Sequence, residues 1–313
     1  MPRRPLSRFV YALTSVLAFW AVAPAVAEPE AAKGSDPKFV RVQNDAAGSP
    51  LALQVATVHF GRKGPNEKPL TVDLIGAIHV GEKAYYDALN LAFRQYEVVL
   101  YELVAPPGTR VVKGASRKRP LGMLQNAMGD LLKLEHQLDV IDYAAANFVH
   151  ADMTPDGFAK SMEQRGESFW TMCLRMIGHS LAQEQKAANQ GRSIDAELLV
   201  ALLSKDRSVH LKRLIARQFG EMDASLDALS GPEGSTIITE RNKVALQGLG
   251  EQIASGKKRI AIFYGAGHLP DMEKRLVSQF GMHRSGESWL TAWNLSDPSA
   301  AKRKPLVPST TKP

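Results

Sequence analysis

The sequence predicts an α/β fold, with a mixed and mostly parallel sheet built from two β-α-β halves and helices on its faces. Two apolar runs support this prediction, because Leu70–His79 and Arg259–His268 both end in Gly-x-x-His. A helical pattern follows each run, starting near Gly81 in the first case and near Pro270 in the second. The apolar run Glu97–Val104 then completes the first β-α-β unit, which predicts a parallel pair of strands.

The remaining patterns fit a single domain over residues 37–295. Two short strands are predicted before the first half, at Phe39–Val42 and Leu51–Phe60. A large helical insertion is predicted between the halves, at about residues 106–256. Its helical periods cover Leu121–Leu138, Ser168–Ala188, Ile194–Phe219 and Ser235–Ala254.

Both ends of the chain are predicted to lie outside this domain. Residues 1–27 have the pattern of a secretory signal peptide, in which arginines precede an uncharged apolar stretch and Ala25-Val26-Ala27 fits the cleavage site. Residues 28–36 are predicted to be a disordered lead-in and residues 296–313 a disordered tail. We therefore expect an exported protein, periplasmic or secreted, with no stable membrane span after cleavage; an uncleaved anchor is the alternative.

Composition argues against several classes of function. The formal net charge of +7 falls to +4 when residues 1–27, which carry three arginines and no acid, are removed. No basic stripe with interleaved aromatic residues occurs, so no nucleic-acid partner is predicted. Cys173 is the one cysteine, which excludes an internal disulfide. The sequence also lacks His-Glu-x-x-His, a phosphate-binding loop and a haem attachment motif.

The two motif histidines, His79 and His268, are the first candidates for a functional site. Each follows a predicted strand by a glycine turn, so both are expected at the carboxyl edge of the parallel sheet, where such sheets bind ligands. A helix N-terminus nearby favours a neutral imidazole, which can coordinate a metal. Gly76, Gly265 and Gly267 are expected to allow a tight backbone turn and close approach to a ligand. Two histidines that only hydrogen-bond within turns are the alternative.

Glu102 is the third candidate, at the C-terminal end of a strand predicted to be buried on both faces. A buried carboxylate requires a metal, a cation or a hydrogen-bond donor. Two imidazoles and one carboxylate suit an open catalytic site for Zn, Mn, Co or Fe. Glu102 would then be either a metal ligand or the base that accepts a proton from water. A salt bridge to an arginine is the alternative.

The charged triplet Glu240-Arg241-Asn242 opens the helix that leads into the second half. Arg241 is a candidate cation that would stabilise Glu102 or an oxyanion. Glu240 is a further catalytic candidate, and Asn242 is a possible additional site residue. A solvated helix face is the alternative for the whole triplet.

Weaker candidates lie within the predicted insertion. His150 and Asp152 occur in a short break, Asn147–Pro155, and would add a ligand or a base; a surface loop is the alternative. Ser180 lies in Gly178–Ala182, which approximates a nucleophile elbow, but the preceding residues have a helical pattern rather than the buried strand that an elbow requires.

Taken together, the motifs resemble the TraB/GumN/TIKI superfamily, which includes the TIKI metalloproteases and lies near the erythromycin-esterase and ChaN-like proteins. The resemblance spans about residues 50–295 and rests on Gly76-Ala-Ile-His79, Tyr101-Glu102, Glu240-Arg241-Asn242 and Tyr264-Gly-Ala-Gly-His268-Leu-Pro. It implies an α/β core with both Gly-x-x-His motifs at one site. For the TIKI branch it implies divalent-metal-dependent peptide hydrolysis, with His79, Glu102 and His268 as ligands and Arg241 as the supporting cation.

The predicted function is therefore that of an exported divalent-metal-dependent hydrolase that acts on peptide or amide bonds through a metal-activated water. A second hypothesis is a periplasmic binding or regulatory protein that holds a peptide, iron or haem without turnover, as the ChaN-like proteins suggest. A metal-free esterase that uses Ser180 is a third. The insertion matches no known pattern, so the substrate, a peptide or a small molecule, stays open.

Overall fold

The chain folds into a mixed sheet with helices on both faces, which confirms the predicted α/β class. The computed structural model describes residues 39–62, 69–111, 131–168, 194–219 and 234–297. The predictions that fall outside these ranges concern the signal peptide, the lead-in, nearly all of the tail, the helix at Ser168–Ala188, Cys173 and Ser180.

The elements of the described ranges follow the order of the chain. The strands are β1 Val40–Asn44, β2 Pro50–Arg62, β3 Leu70–Ala77, β4 Val80–Gly81, β5 Val98–Tyr101, β6 Glu135–His136, β7 Phe148–His150, β8 Arg259–Gly265 and β9 His283–Asn294. The helices are α1 Lys83–Phe93, α2 Gln137–Val140, α3 Pro155–Gln164, α4 Ile194–Leu203, α5 Arg207–Phe219, α6 Arg241–Ala254 and α7 Leu269–Phe280. Within these ranges, none of the helices combines the length and the apolar character needed to cross a bilayer.

Four parallel strands form the part of the sheet that carries the candidate residues. Their order is β3-β8-β5-β7, and β2 extends the sheet on the β3 side through antiparallel pairing with β1, β3 and β9. The sequence suggested that β3 and β5, the two strands of the first β-α-β unit, are neighbours. In the structure β8 lies between them. The two predicted halves therefore interleave instead of lying side by side.

Side chains of the parallel strands point alternately to the two faces of the sheet, and each face packs into its own hydrophobic core. Ala261 and Phe263 of β8 face the core that contains the buried side of α1. Ile262 and Tyr264 face the opposite core, where α6 and α7 pack. This arrangement follows from the period of two in a strand, which places successive side chains on opposite faces. The sheet is thus covered on both sides, and its carboxyl edge stays available for a site.

Local signals account for several helix boundaries. Thr154 caps α3 by accepting a hydrogen bond from the backbone N–H of Gly157 at 3.1 Å, and Pro155 occupies the first turn, as its sequence indicates. Helix α7 ends at Gly281, whose φ of 61° is left-handed, and the N–H of Met282 bonds back to Leu276. A π-helical turn, Thr236–Glu240, precedes α6.

Two helical predictions in the insertion were wrong in detail, and one predicted break contains a strand. In the described part of Leu121–Leu138, Lys133 has a φ of 57° that interrupts the helix, and β6 follows it and pairs with β4. The stretch Ile194–Phe219 forms two helices, α4 and α5. The break Asn147–Pro155 contains β7, which joins the main sheet beside β5. Periodicity missed β6 and β7 because each pairs with a strand that is distant in sequence.

Close packing, and not a left-handed backbone conformation, requires a glycine at position 76. None of Gly76, Gly265 and Gly267 has a positive φ. A Cβ on Gly76 would lie 2.7 Å from Cγ1 of Val55 and 3.1 Å from the carbonyl oxygen of Ala56. The absence of a side chain at Gly76 therefore lets β3 pack closely against β2.

We predict that Gly76→Ala lowers the free energy of unfolding by about 1–3 kcal/mol, because the added methyl group overpacks this contact. Gly250→Ala is a matched control in α6, where a Cβ meets nothing within 4 Å, and it should stabilise the protein by about 1 kcal/mol. Urea unfolding of both variants measures the difference. Equal effects of the two substitutions would contradict the packing argument.

Candidate functional site

Four polar candidates lie just beyond the ends of the four parallel strands. His79 follows β3, His268 follows β8, Glu102 follows β5, and Asp152 follows β7. Because parallel strands end at one edge, the strand order places the four residues along that edge in the sequence His79, His268, Glu102, Asp152. The two Gly-x-x-His motifs therefore end at the same edge of the sheet, as predicted.

The guanidinium of Arg241 connects two of these residues. Its Nη2 donates to Oε1 of Glu102 and to Oδ2 of Asp152, both at 2.6 Å, and its Nε donates to Oδ1 of Asp152 at 2.9 Å. Arg241 is 5% exposed, and the Asp152 side chain is fully buried. Arg241 therefore makes a bidentate ion pair with Asp152, and its Nη2 also binds the carboxylate of Glu102.

Glu102 is held as an anion at this edge. Its Oε2 accepts a 2.6 Å hydrogen bond from the backbone N–H of Gly265, in addition to the Arg241 contact at Oε1. Burial alone would raise its pKa, but the adjacent guanidinium of Arg241 outweighs burial and holds the pKa well below the usual carboxyl range. Burial opposes the charge of Arg241 too, yet Glu102 and Asp152 raise its pKa above the ordinary value.

His268 is buried and oriented by Asn242. The side-chain amide of Asn242 donates through Nδ2 to the carbonyl oxygen of His268 at 3.1 Å and to Oδ2 of Asp271 at 2.8 Å. Its Oδ1 therefore faces Nδ1 of His268, at 2.7 Å. Because an amide oxygen only accepts, Nδ1 carries the hydrogen, and whenever the ring is neutral its Nε2 has a free lone pair. This Nε2 lies 3.5 Å from Oε1 of Glu102.

His79 differs from His268 in exposure and in neighbours. Its ring is exposed, and its Nδ1 lies 3.3 Å from Oε1 of Gln137, the first residue of α2. Its strand is separated from the strand of Glu102 by β8, which corresponds to roughly 10 Å at the usual spacing of strands. His79 therefore lies outside the Arg241 cluster.

The remaining candidates take other roles. The Nε2 of His150 is hydrogen-bonded to the carbonyl oxygen of Leu103, so this ring joins two strand ends. The carboxylate of Glu240 pairs with Arg165 at 3.3 Å and with Lys243 at 2.8 Å. These contacts stabilise the π-helical turn before α6 and do not involve Glu102 or Asp152.

The arrangement of His268 and Glu102 fits a cation between them. A lone pair on Nε2 and an ionised oxygen repel each other, and the carboxylates exceed Arg241 by one negative charge when both are ionised. A direct charge-assisted hydrogen bond would be about 2.7–2.9 Å, shorter than the observed 3.5 Å. Ligand atoms in a tetrahedral metal shell with bonds of about 2.1 Å lie about 3.4 Å apart. Within the described ranges, however, no group of three or more His, Cys, Asp or Glu side chains is arranged to hold a metal.

Sequence reasoning missed two residues of this site. Gln137 contacts His79 and also donates through Nε2 to the hydroxyl of Tyr143 at 2.7 Å. Tyr264 packs edge-on against the ring of His268, at 5.2 Å between centroids, and its hydroxyl donates to the carbonyl oxygen of Ala151. Tyr264 lies in the second Gly-x-x-His motif, which was the available signal, whereas no local pattern marks Gln137.

Comparison with known proteins gives no assignment. No family model, no curated protein and no solved structure matches the chain significantly.

We predict that Asp152→Ala lowers the free energy of unfolding by about 3–5 kcal/mol, because it removes the bidentate partner of a buried guanidinium. Asp87→Ala is the matched control, since it removes an exposed carboxylate paired with Lys83 and should change stability by about 0.5 kcal/mol or less. Urea unfolding of both variants tests this. The buried-pair argument is wrong if the two losses are similar.

The lowered pKa of Glu102 predicts a pH-dependent contribution to stability. A carboxyl whose pKa is depressed in the folded state contributes fully above its unfolded pKa of about 4.3 and loses this contribution as the pH falls toward the folded value. The stability difference between wild type and Glu102→Gln should be constant at neutral pH and should shrink in acid. Denaturant unfolding with a chelator present, from pH 7 to pH 3, measures it. A difference that grows in acid would contradict the assignment.

Proposed function

We propose that this chain is an exported divalent-metal-dependent hydrolase of peptide or amide bonds, of the kind found in the TraB/GumN/TIKI superfamily. The observation that carries the proposal is the placement of Nε2 of His268 at 3.5 Å from Oε1 of Glu102, in a buried cluster where two carboxylates share one guanidinium. A cation between these atoms would relieve their repulsion. The superfamily motifs quoted above supply the link to peptide hydrolysis.

In this proposal, His268 and Glu102 hold the ion, and exposed His79 supplies a third ligand from the neighbouring strand. Imidazole and carboxylate ligands suit Mn, Co, Zn or Fe. When bound, such an ion supplies Lewis-acid polarisation of a carbonyl and lowers the pKa of a water molecule. Because three ligands are not already clustered in the described residues, His79 would need to turn toward the ion as it binds.

The electrostatics favour one of the two roles predicted for Glu102. A general base works best when its pKa lies near the operating pH. The pKa of Glu102 is held well below the ordinary carboxyl value, so it accepts a proton poorly at neutral pH. We therefore assign Glu102 the role of anionic ligand, and Arg241 the role of fixing its orientation.

Export and the nature of the substrate belong to the same proposal. The pattern of residues 1–27 supports export, and the motif resemblance supports a peptide substrate. A binding protein for peptide, iron or haem uses the same cation site without turnover, and the experiment below separates the two.

We predict near-stoichiometric Mn, Co, Zn or Fe in the purified protein, together with metal-dependent cleavage of a peptide library that a chelator abolishes. His268→Ala should lose the metal, because it removes a buried ligand, and His79→Ala should bind it more weakly. His59→Ala is a control in β2, where the ring pairs with Asp73 at 3.0 Å, and should match wild type. Elemental analysis and mass spectrometry of the peptides provide the measurements.

Two outcomes would contradict the proposal. Negligible metal in wild type and in both site variants, even after loading, would leave the histidines as structural residues. Metal or haem that binds stoichiometrically, with no cleavage of any peptide in the library, would favour the binding-protein hypothesis.

A further inference from the structure

The two motif histidines share a feature that the sequence does not reveal. In each case the Nδ1 atom lies against the oxygen of a side-chain amide, which is Asn242 for His268 at 2.7 Å and Gln137 for His79 at 3.3 Å. The two amides come from unrelated elements, the first turn of α6 and the start of α2. The same type of contact, between a histidine Nδ1 and a side-chain amide oxygen, therefore occurs twice at one edge of the sheet.

The orientation of Asn242 follows from its partners. Its Nδ2 faces two groups that only accept, the carbonyl oxygen of His268 and the carboxylate of Asp271. Rotating the amide by 180° would bring its oxygen against both acceptors, so the orientation is fixed. Asn242 is fully buried, and water cannot replace the contact with Nδ1.

Gln137 is placed in a comparable way. It is 6% exposed, its Nε2 donates to the hydroxyl of Tyr143 at 2.7 Å, and its backbone N–H donates to the carbonyl oxygen of His79 at 2.9 Å. The backbone bond fixes the distance between the two residues, and when the Tyr143 hydroxyl accepts from Nε2 the amide oxygen faces the imidazole. Tyr143 is itself buried, and burial raises the pKa of its hydroxyl.

We propose that Asn242 and Gln137 are positioning residues that fix His268 and His79 in the Nδ1–H tautomer and leave both Nε2 lone pairs for a shared ligand. The hydrogen bond at one ring nitrogen decides which nitrogen of a neutral imidazole is available to a metal. The role in metal binding rests on the proposed function, whereas the tautomers are a property of the metal-free protein.

The test uses Gln137, because Asn242 also holds the start of α7 through Asp271. Gln137→Met has a similar size and removes the acceptor, whereas Gln137→Glu keeps an acceptor at the same place. Asn90→Leu is the control, since the Asn90 amide bonds to the backbone of Val140 and Asp142 in the same region. Thermal unfolding establishes first that each variant is folded.

Imidazole ¹⁵N chemical shifts, recorded by two-bond correlation in metal-free protein, identify the tautomers directly. We expect Nδ1–H for both histidines in wild type, in Gln137→Glu and in Asn90→Leu. In Gln137→Met the ring of His79 should shift toward the Nε2–H form while His268 is unchanged. Titration with Zn²⁺ or Mn²⁺ should show an affinity about 10–100-fold lower for Gln137→Met and near wild type for Gln137→Glu.

The inference is wrong if His79 or His268 is the Nε2–H tautomer in wild type, or if Gln137→Met leaves the His79 shifts unaltered. Its failure can be distinguished from failure of the proposed function. Correct tautomers in a protein that binds no metal would overturn the hydrolase proposal and the metal-binding role, and would leave the assignment of the tautomers intact.

Discussion

The buried guanidinium of Arg241 is the constraint on which the site depends. It joins the end of β5 to the end of β7 through Glu102 and Asp152, which are 139 and 89 residues away in sequence. A buried cation without partners would be strongly unfavourable, so α6 cannot shift without breaking both contacts. One side chain thus aligns two strand ends and a helix, and fixes where the carboxylate of Glu102 lies.

Asn242, the next residue in the same helical turn, positions His268 of the second Gly-x-x-His motif. Arg241 orients Glu102, and Asn242 orients His268, so the first turn of α6 sets the 3.5 Å separation between these two side chains. The π-helical turn before α6 is held by Ser235, which accepts from the N–H of Ile238, and by the Glu240 ion pairs. Such turns occur frequently at functional sites, where they adjust the direction of neighbouring side chains.

Much of this edge could be predicted from sequence, because apolar runs that end in Gly-x-x-His mark buried strands and their ends. The pairing of Glu102 with Arg241 was among the alternatives, since a buried carboxylate needs a donor. The position of β8 between β3 and β5 was not predictable, because periodicity reports which residues are buried and not which strand lies beside them. Gln137 was missed for the same reason, as its partner lies 58 residues away.

The two histidines look equivalent in sequence but differ in the structure, and the difference bears on mechanism. His268 is buried against Tyr264 beside the carboxylates, whereas His79 is exposed beyond the neighbouring strand. On the proposed function, His268 and Glu102 would provide most of the affinity for the ion, and His79 would face solvent and substrate.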